Sequence, residues 1–314
     1  METIADLGEH QLLQRLKPYC SEAVGDDGAC LPPVPNGWQL VMTTDMLIDG
    51  VHFSDRTMAG FDVGWKAAAV NLSDVAAMGG LPQSLVMALG LPPETPTAWV
   101  EAVYQGFSAC LRQYGGQLVG GDTVRSPIRT LSVTATGVVP REYLIQRHLA
   151  QAGDVVLITG PHGRSRGGLE LLWQGTPQRA PALVLAHRRP RPRIDVVQFL
   201  HTLPPTPIAG MDSSDGLADA ILQICQASRV GIHLNSDLIP LDAALGEQFP
   251  NQALQWTLYG GEDFELVLAL PEAIAQPILT RFPESAIIGT LTAAPGDFEL
   301  DGSQTFQHFA PPKA

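Results

Sequence analysis

The sequence predicts an α/β (in part α+β) protein of two domains. Strand patterns alternate with segments of helical spacing in both halves of the chain, and 314 residues exceed a typical single domain. The pattern changes near residues 140–152, so we expect an N-terminal domain of residues 1–140 and a C-terminal domain of residues 151–314. With 45% hydrophobic residues, both domains have ample material for a packed core.

In the N-terminal half, four strands and two helices are predicted from apolar spacing and from end signals. Asp62 is a suitable N-cap for the first helix, and glycine pairs end both helices. The last strand alternates apolar and hydroxyl residues, as a half-buried strand does. The predicted strands are 39–44, 85–91, 117–119 and 130–139; the predicted helices are 63–78 and the segment from Thr95 to Gly115.

The C-terminal half gives fewer signals. A buried strand is expected at 155–159, followed by the glycine-rich turn GPHGRSRGG and a Pro- and Arg-rich connection over 177–193. A helix over 214–229 and a strand over 264–270 complete the prediction. The run from Arg188 to Arg193 could bind an anion, but a solvated Pro-rich loop is the favoured interpretation.

Charge and cysteine content exclude several classes of protein. The formal net charge of −13 argues against nucleic-acid or anionic-membrane partners, because both bind surfaces with clustered Lys and Arg. The four cysteines form no C-x-x-C pair, so reduced thiols are expected. The acidic N-terminus is unlike a signal peptide, and no apolar stretch approaches the ~18 residues of a membrane span. A cytoplasmic protein is therefore expected.

Six short segments place carboxylates beside glycine or hydroxyl residues at the ends of predicted elements. Each alone is most simply a turn or a helix cap. Six together favour a site, because α/β proteins build their sites at the ends of strands and helices. The segments are Gly25-Asp26-Asp27, Thr43-Thr44-Asp45, Asn71-Leu72-Ser73-Asp74, Gly120-Gly121-Asp122-Thr123, Asp212-Ser213-Ser214-Asp215-Gly216 and Gly260-Gly261-Glu262-Asp263.

Converging carboxylates need cations between them, and oxygen ligands suit Mg²⁺ or Ca²⁺. The calcium loop of an EF-hand is absent, which favours Mg²⁺. Neither G-x-x-x-x-G-K-[ST] nor G-x-G-x-x-G occurs. Phosphate charge would then be balanced by metal ions, by arginines such as Arg147, and by backbone N–H groups at Ser214-Asp215-Gly216. The sequence thus predicts multi-metal phosphate chemistry.

In order and spacing, the chain contains GDDGAC, TTDMLIDGVHF, VNLSDVAAMGG, GGDTVRS, MDSSDGLAD and YGGEDFEL. It therefore resembles the thiamine-monophosphate kinases of the PurM-like (aminoimidazole ribonucleotide synthetase) superfamily. The resemblance implies a two-domain PurM-like fold, with an N-terminal α/β domain that dimerises through its sheet and a C-terminal α/β domain. It also implies ATP-dependent phosphorylation of thiamine phosphate to thiamine diphosphate, by direct in-line transfer with several Mg²⁺ ions and without a phosphoenzyme.

The same resemblance implies roles for individual residues. The metal ligands would be Asp27, Thr43, Thr44, Asp45, Asp74, Asp122, Asp212 and Asp215. ATP would contact Tyr104, Gly121, Asp122, Arg147 and Ser214. The substrate would contact His52, Glu262 and an aromatic residue near the C-terminus, with Phe306 preferred over Phe309. From the residues alone, His52 could equally be a structural histidine, and Tyr104 an ordinary helix residue.

The chain departs from the family pattern after the strand at 155–159, where Arg164 and Arg166 replace small residues as extra anion contacts or as surface variation. Two alternative functions stay open. One is another ATP-using synthetase of the PurM-like superfamily, although the reactive Cys and the Lys expected of a selenophosphate enzyme are absent. The other is an acidic protein that binds divalent cations without catalysis. Nucleotide turnover separates the two classes.

Overall fold

The computed structural model describes residues 2–24, 29–296 and 300–305. The chain divides into two compact units. The first comprises the residues up to Val75 together with Gly80–Pro140, and the second comprises Ala76–Gly79 together with the residues from Arg141 onward. No helix in the described part of the chain combines the length and apolar character needed to cross a bilayer.

The first unit is a four-stranded sheet with helices on one face. Its strand order is β1-β4-β2-β3, antiparallel except for the parallel β2–β3 pair. The elements are α1 (Ile4–Leu7), α2 (Glu9–Leu16), β1 (Trp38–Ile48), α3 (Gly60–Ala77), β2 (Leu81–Leu91), α4 (Thr97–Tyr114), β3 (Gln117–Arg125) and β4 (Thr130–Pro140). The predicted strands are all present but longer, and α3 begins two residues before Asp62, which lies in its first turn and is not the N-cap.

Helices α3 and α4 approach each other at two glycines. A Cβ atom at Gly64 would lie 1.8 Å from the carbonyl oxygen of Val103, and one at Gly106 would lie 1.8 Å from that of Phe61. Because larger side chains would force the backbones apart, this contact requires glycine at both positions. The close contact, with buried Leu72, Phe107 and their neighbours, fixes α3 and its polar residues over the sheet.

The other face of this sheet is exposed and partly apolar. Met42 is 73% exposed, and the register places the hydroxyl residues of β4 beside the same face. Its large exposed hydrophobic side chains are Leu40, Met42, Met46, Val86 and Val124. We call this surface the outer sheet face; a patch of this kind on a folded protein commonly marks an interaction surface.

The second unit is a five-stranded antiparallel sheet of order β6-β8-β5-β9-β7. Its elements are β5 (Val155–Ile158), α5 (Arg164–Trp173), α6 (Pro181–Arg188), α7 (Ile194–Leu200), β6 (Ala209–Asp212), α8 (Leu217–Ser228), β7 (Gly231–Leu234), α9 (Ala243–Gln248), α10 (Ala253–Tyr259), β8 (Leu266–Leu270), α11 (Glu272–Arg281) and β9 (Ala286–Thr292). Strand β8 pairs antiparallel with both β5 and β6. The amino end of β8 therefore lies beside the carboxyl ends of β5 and β6, at one end of the sheet.

The connection over 177–193 includes the basic run Arg188–Arg193, which was expected to be a solvated loop. It contains helix α6, and Arg193 is only 3% exposed. The guanidinium of Arg193 donates to Glu265 and to the carbonyl of Thr159, both at 2.5 Å, and pairs with Asp195 at 3.1 Å. The interpretation of a solvated loop was therefore wrong at Arg193, because carboxylate and carbonyl partners compensate its buried charge.

Candidate active site

Strand β1 presents its predicted ligands on two faces of the sheet. Thr43 and Asp45 lie opposite the buried residues Ala135 and Val133, so their side chains point to the helix-covered face. Thr44 is exposed on the outer sheet face, where its hydroxyl donates to the carbonyl of Val133 at 2.9 Å. Alternation along the strand therefore separates Thr44 from its two neighbours.

Asp74 joins the pair on the helix-covered face. The hydroxyl of Thr43 donates a hydrogen bond to Oδ2 of Asp74, which projects from α3. One turn earlier, Asn71 is fully buried; its Nδ2 donates to the carbonyl of Ala67 at 3.0 Å, and its Oδ1 accepts no hydrogen bond from the described residues. We call Thr43, Asp45 and Asp74 the β1–α3 oxygen cluster. Asn71, three residues before Asp74 on α3, adds a buried amide oxygen with spare acceptor capacity to the same helix.

The oxygen-only donor set of this cluster suits Mg²⁺. Among the described residues, no three His, Cys, Asp or Glu side chains lie close enough together to hold a metal ion by themselves. Mg²⁺ commonly takes one or two protein carboxylates and completes its shell with phosphate oxygens and water. The residues present therefore fit a Mg²⁺ ion that is bound together with phosphate.

Asp122 lies far from this cluster within one chain. It follows Gly121 on β3, whereas Asp45 is on β1, and these are the two edge strands of the sheet. Three strand spacings separate them, about 14 Å. Gly121 is required sterically, because a Cβ there would lie 2.3 Å from the carbonyl oxygen of Met87. Asp45 and Asp122 of the same chain cannot bind the same ion.

His52 is held in the turn after β1. Its Nδ1 accepts a hydrogen bond from the N–H of Ile48 at 3.1 Å, so the neutral ring carries its proton on Nε2. Its carbonyl accepts from the buried ammonium of Lys66 at 3.4 Å. Lys66 belongs to none of the six motifs, so this supporting role was not predicted; its place in an apolar helical run was the available signal.

Arg129 holds the same turn from the sheet side. Its guanidinium pairs with Asp49 at 2.6 Å and with Asp55 at 2.7 Å, and it lies 4.8 Å from the ring centre of Trp99. Arg129 follows β3 in the chain and carried no motif, so its role was also missed. Asp49 is therefore a structural partner of Arg129.

Tyr104 is buried in α4, where its ring centre lies 6.4 Å from that of Tyr19. Burial raises the pKa of the Tyr104 phenol, which therefore stays neutral and can donate a hydrogen bond. Tyr19 also lines a cavity of about 520 Å³, together with Cys20, Ser108 and Leu118 among others. The cavity lies along β3 on the side where that strand begins.

In the second unit, Asp212 and Ser214 lie at the end of β6. Asp212 is buried, and Ser213 beside it is hydrogen-bonded to Nε2 of His162 at 2.9 Å. Burial lowers the pKa of His162 to about 4, so this imidazole is neutral near pH 7. Asp215 precedes Gly216, whose φ of 107° opens α8. Arg147 is exposed and donates to Gln223 of α8 at 2.6 Å.

Glu262 sits in a strained loop, residues 260–265, which we call the Glu262 loop. Glu262 and Phe264 have φ of 69° and 55°, unusual for residues other than glycine. The N–H of Glu262 donates to the carbonyl of Ser214 at 2.7 Å, so these two predicted contact residues lie together. Strain of this kind is common at functional sites.

Asp263 occupies the start of helix α5. Its carboxylate accepts hydrogen bonds from the N–H groups of Gly163 and Ser165, at 2.6 and 2.8 Å. Burial raises the pKa of Asp263 to about 7, although these two hydrogen bonds act in the opposite direction. The N–H groups of the glycine-rich turn are thus already used by a carboxylate of the chain itself.

Arg164 and Arg166 have partners within the second unit. Arg164 pairs with Asp242 at 2.7 Å and with Glu284 at 3.1 Å. Arg166 pairs with Glu170 at 3.0 Å, and its guanidinium lies 4.6 Å from the ring centre of Trp256. Arg164 is thus paired on two sides, whereas the buried Nη1 of Arg166 has no hydrogen-bond partner among the described residues. Two predicted site residues, Asp27 and Phe306, lie outside the described residues, as does Phe309.

A family model described as AIR synthase related protein, N-terminal domain, matches residues 25–139, and its C-terminal counterpart matches residues 151–301. A thiamine-monophosphate kinase of Synechococcus elongatus is 46% identical over 303 residues, which cover 93% of this chain and 91% of that protein.

Two solved structures are also similar. The thiamine-monophosphate kinase from Stenotrophomonas maltophilia K279a has a TM-score of 0.81 and 34% identity, over 92% of this chain and 95% of that one. AaThiL complexed with AMPPCP and TMP has a TM-score of 0.80 and 33% identity, over 98% and 99%. These matches confirm the predicted two-domain α/β fold class.

Proposed function

The chain belongs to the thiamine-monophosphate kinases of the PurM-like superfamily, and we propose that it makes thiamine diphosphate by direct, in-line transfer of the γ-phosphoryl group of ATP to thiamine phosphate, assisted by Mg²⁺. The proposed role of Mg²⁺ is supported by the β1–α3 oxygen cluster, in which Thr43 contacts Asp74. In the transfer, an oxygen of thiamine phosphate bonds to the γ-phosphorus while the bond to the β,γ-bridging oxygen breaks, releasing ADP.

Thr43, Asp45 and Asp74 would hold Mg²⁺ in the first unit. Asp27, Thr44 and Asp122 are proposed as further metal ligands, although Thr44 lies on the other face of the sheet and Asp122 of the same chain is too far from Asp45 to share its ion. Asp212 and Asp215 are the proposed ligands in the second unit. When bound, the ions would neutralise phosphate charge as it shifts during transfer. The attacking phosphate oxygen is already ionised near neutral pH, so the chain needs neither a strong base nor a covalent nucleophile.

The remaining site residues bind and orient the two substrates. We assign Tyr104, Gly121, Asp122, Arg147 and Ser214 to ATP, and His52, Glu262 and Phe306 to thiamine phosphate. The Nε2–H of His52 is a donor suited to a phosphate oxygen. The cavity beside Tyr19 is our proposed place for the nucleoside of ATP, since Tyr19 in its lining is the ring neighbour of Tyr104 and the cavity lies along β3 from Gly121.

We also propose a cytoplasmic homodimer of two-domain chains, with residues 1–140 and 151–314 as the domains. The outer sheet face supports the dimer, because burying exposed Met42 and Met46 against a second copy would remove apolar surface from water. The four unpaired cysteines agree with a reducing compartment.

The test is turnover measured against Mg²⁺ concentration in Asp45→Asn, Asp74→Asn and the exposed control Asp237→Asn. We expect both site variants to lose more than the 10- to 100-fold typical of groups that only support a ligand, and the control to keep its rate. Circular dichroism should show all three folded. Near-normal rates in a site variant would overturn the metal assignment, and metal binding without ATP turnover in the wild type would favour the non-catalytic alternative.

A further inference from the structure

The carboxylate of Glu262 lies beside a buried histidine that the sequence motifs do not include. His187, in the last turn of α6, is 2% exposed. Its Nδ1 lies 3.0 Å from the hydroxyl oxygen of Ser165 and 3.5 Å from Oε2 of Glu262. Ser165 is buried in the first turn of α5. These three side chains therefore connect the α5–α6 pair to the Glu262 loop.

The backbone on both sides of this contact is fixed. Asp263 accepts the N–H groups of Gly163 and Ser165, which holds the start of α5 against the Glu262 loop. The N–H of Glu262 is bonded to Ser214, and its φ of 69° restricts the chain further. Since the main chain has little freedom, side-chain contacts decide where the carboxylate of Glu262 points.

The chemistry of the contact sets the position of the proton. A carboxylate only accepts hydrogen bonds, so its approach to Nδ1 of His187 is favourable when that nitrogen carries the proton. With the proton on Nδ1, the hydroxyl oxygen of Ser165 accepts the same N–H, and we assign this tautomer on the proximity of the carboxylate. His187 thus presents one donor that is shared between Ser165 and Glu262.

We propose that His187, held by Ser165, is a positioning residue that orients the carboxylate of Glu262 toward the cationic thiazolium of thiamine phosphate. The inference rests on the proposed function and on Glu262 as a substrate contact. A carboxylate attracts the thiazolium cation and repels the triphosphate of ATP. Loss of the His187 contact should therefore weaken binding of thiamine phosphate and leave binding of ATP unchanged.

The experiment is steady-state kinetics of the full chain with each substrate varied in turn. His187→Leu removes the donor, whereas His187→Asn retains an N–H near the position of Nδ1. We expect His187→Leu to raise KM for thiamine phosphate about tenfold, as for a weakened hydrogen bond to a charged group, with KM for ATP within about twofold. His187→Asn should recover most of the loss.

Two further variants complete the design. His201→Leu removes a half-buried histidine of the same unit that contacts the carbonyl of Gly79, so it controls for the loss of an imidazole as such, and its two KM values should stay at wild type. Ser165→Ala removes the hydroxyl that holds the His187 ring and leaves the ring itself intact. It should also raise KM for thiamine phosphate, so it serves as the test if His187→Leu does not fold.

An unchanged KM for thiamine phosphate in folded His187→Leu or Ser165→Ala, or equal rises in KM for both substrates, would overturn the inference. Absence of thiamine diphosphate from the wild type would instead overturn the proposed function.

Discussion

The hydroxyl of Thr43 donates a hydrogen bond to the carboxylate of Asp74, and this contact joins the strand and the helix that carry the metal-site residues of the first unit. Asp45 lies two residues along the same face of β1, about 7 Å away between Cα atoms. This hydrogen bond holds the carboxylate of Asp74 in place in the absence of a ligand. Oxygen ligands that are already ordered lower the entropic cost of binding an ion.

The first prediction concerns this hydroxyl. Thr43→Val keeps the shape of the side chain and removes its oxygen, so the Mg²⁺ concentration that gives half the maximal rate should rise about tenfold. Thr280→Val, which removes an exposed hydroxyl bonded to the carbonyl of Gln276, is the matched control and should leave it unchanged. Equal Mg²⁺ dependence in Thr43→Val and wild type would show that the hydroxyl only stabilises the fold.

The second prediction concerns the outer sheet face. Met42→Glu would place a charge in the proposed dimer interface, where burial without a partner is costly, so the variant should be monomeric. Light scattering coupled to size-exclusion chromatography should give twice the mass of one chain for the wild type and one chain mass for Met42→Glu. Leu254→Glu, at another exposed hydrophobic residue, should remain dimeric. A monomeric wild type would contradict the dimer.

The third prediction concerns stability. Arg193→Met leaves Glu265 and the carbonyl of Thr159 without their buried partner, which should lower the free energy of unfolding by about 3–5 kcal/mol. Arg191→Met, at a side chain that is 58% exposed, should change it by less than about 1 kcal/mol. Urea unfolding monitored by circular dichroism measures both. Similar values for the two variants would contradict the structural role of Arg193.

The fourth prediction concerns pH. Because the pKa of His162 is about 4 in the folded chain, the unfolded chain with its ordinary pKa near 6.5 binds the extra proton as pH falls between these values. Its contribution to stability is thus present above pH 6.5 and is lost toward pH 4. Between pH 7 and 5, the wild type should lose about 2 kcal/mol more stability than His162→Gln does. Equal losses in urea unfolding would contradict a neutral buried imidazole.

Local patterns sufficed to predict much of the first unit. Alternation in β4 and the glycine pairs after α3 and α4 mark elements that the structure contains. The second unit was harder to predict: the apolar run of β5 was recognised, but β6 and β7 have only four residues each and show no alternation. Helix α6 was not predicted because the prolines and arginines that surround it favour a loop, whereas burial of Leu183, Val184 and His187 stabilises the helix.

In the candidate site too, local patterns predict some features, whereas others depend on the tertiary fold. Motifs place carboxylates at element ends, but they do not give strand order, so the separation of Asp45 from Asp122 could not be predicted. Supporting residues such as Lys66, Arg129 and His187 belong to no motif and are brought to the site by long-range packing. Their roles follow from contacts across the fold, which local spacing does not encode.

The central claim is direct transfer from ATP to thiamine phosphate, and the most direct test follows the γ-phosphoryl group itself. The wild-type chain is incubated with γ-³²P-labelled ATP, thiamine phosphate and Mg²⁺, quenched with acid, and separated by chromatography. The account predicts label in the terminal phosphate of thiamine diphosphate, formed in equal amount with ADP, and none on the protein. No labelled thiamine diphosphate under saturating substrates, or label that passes through the protein, would contradict it.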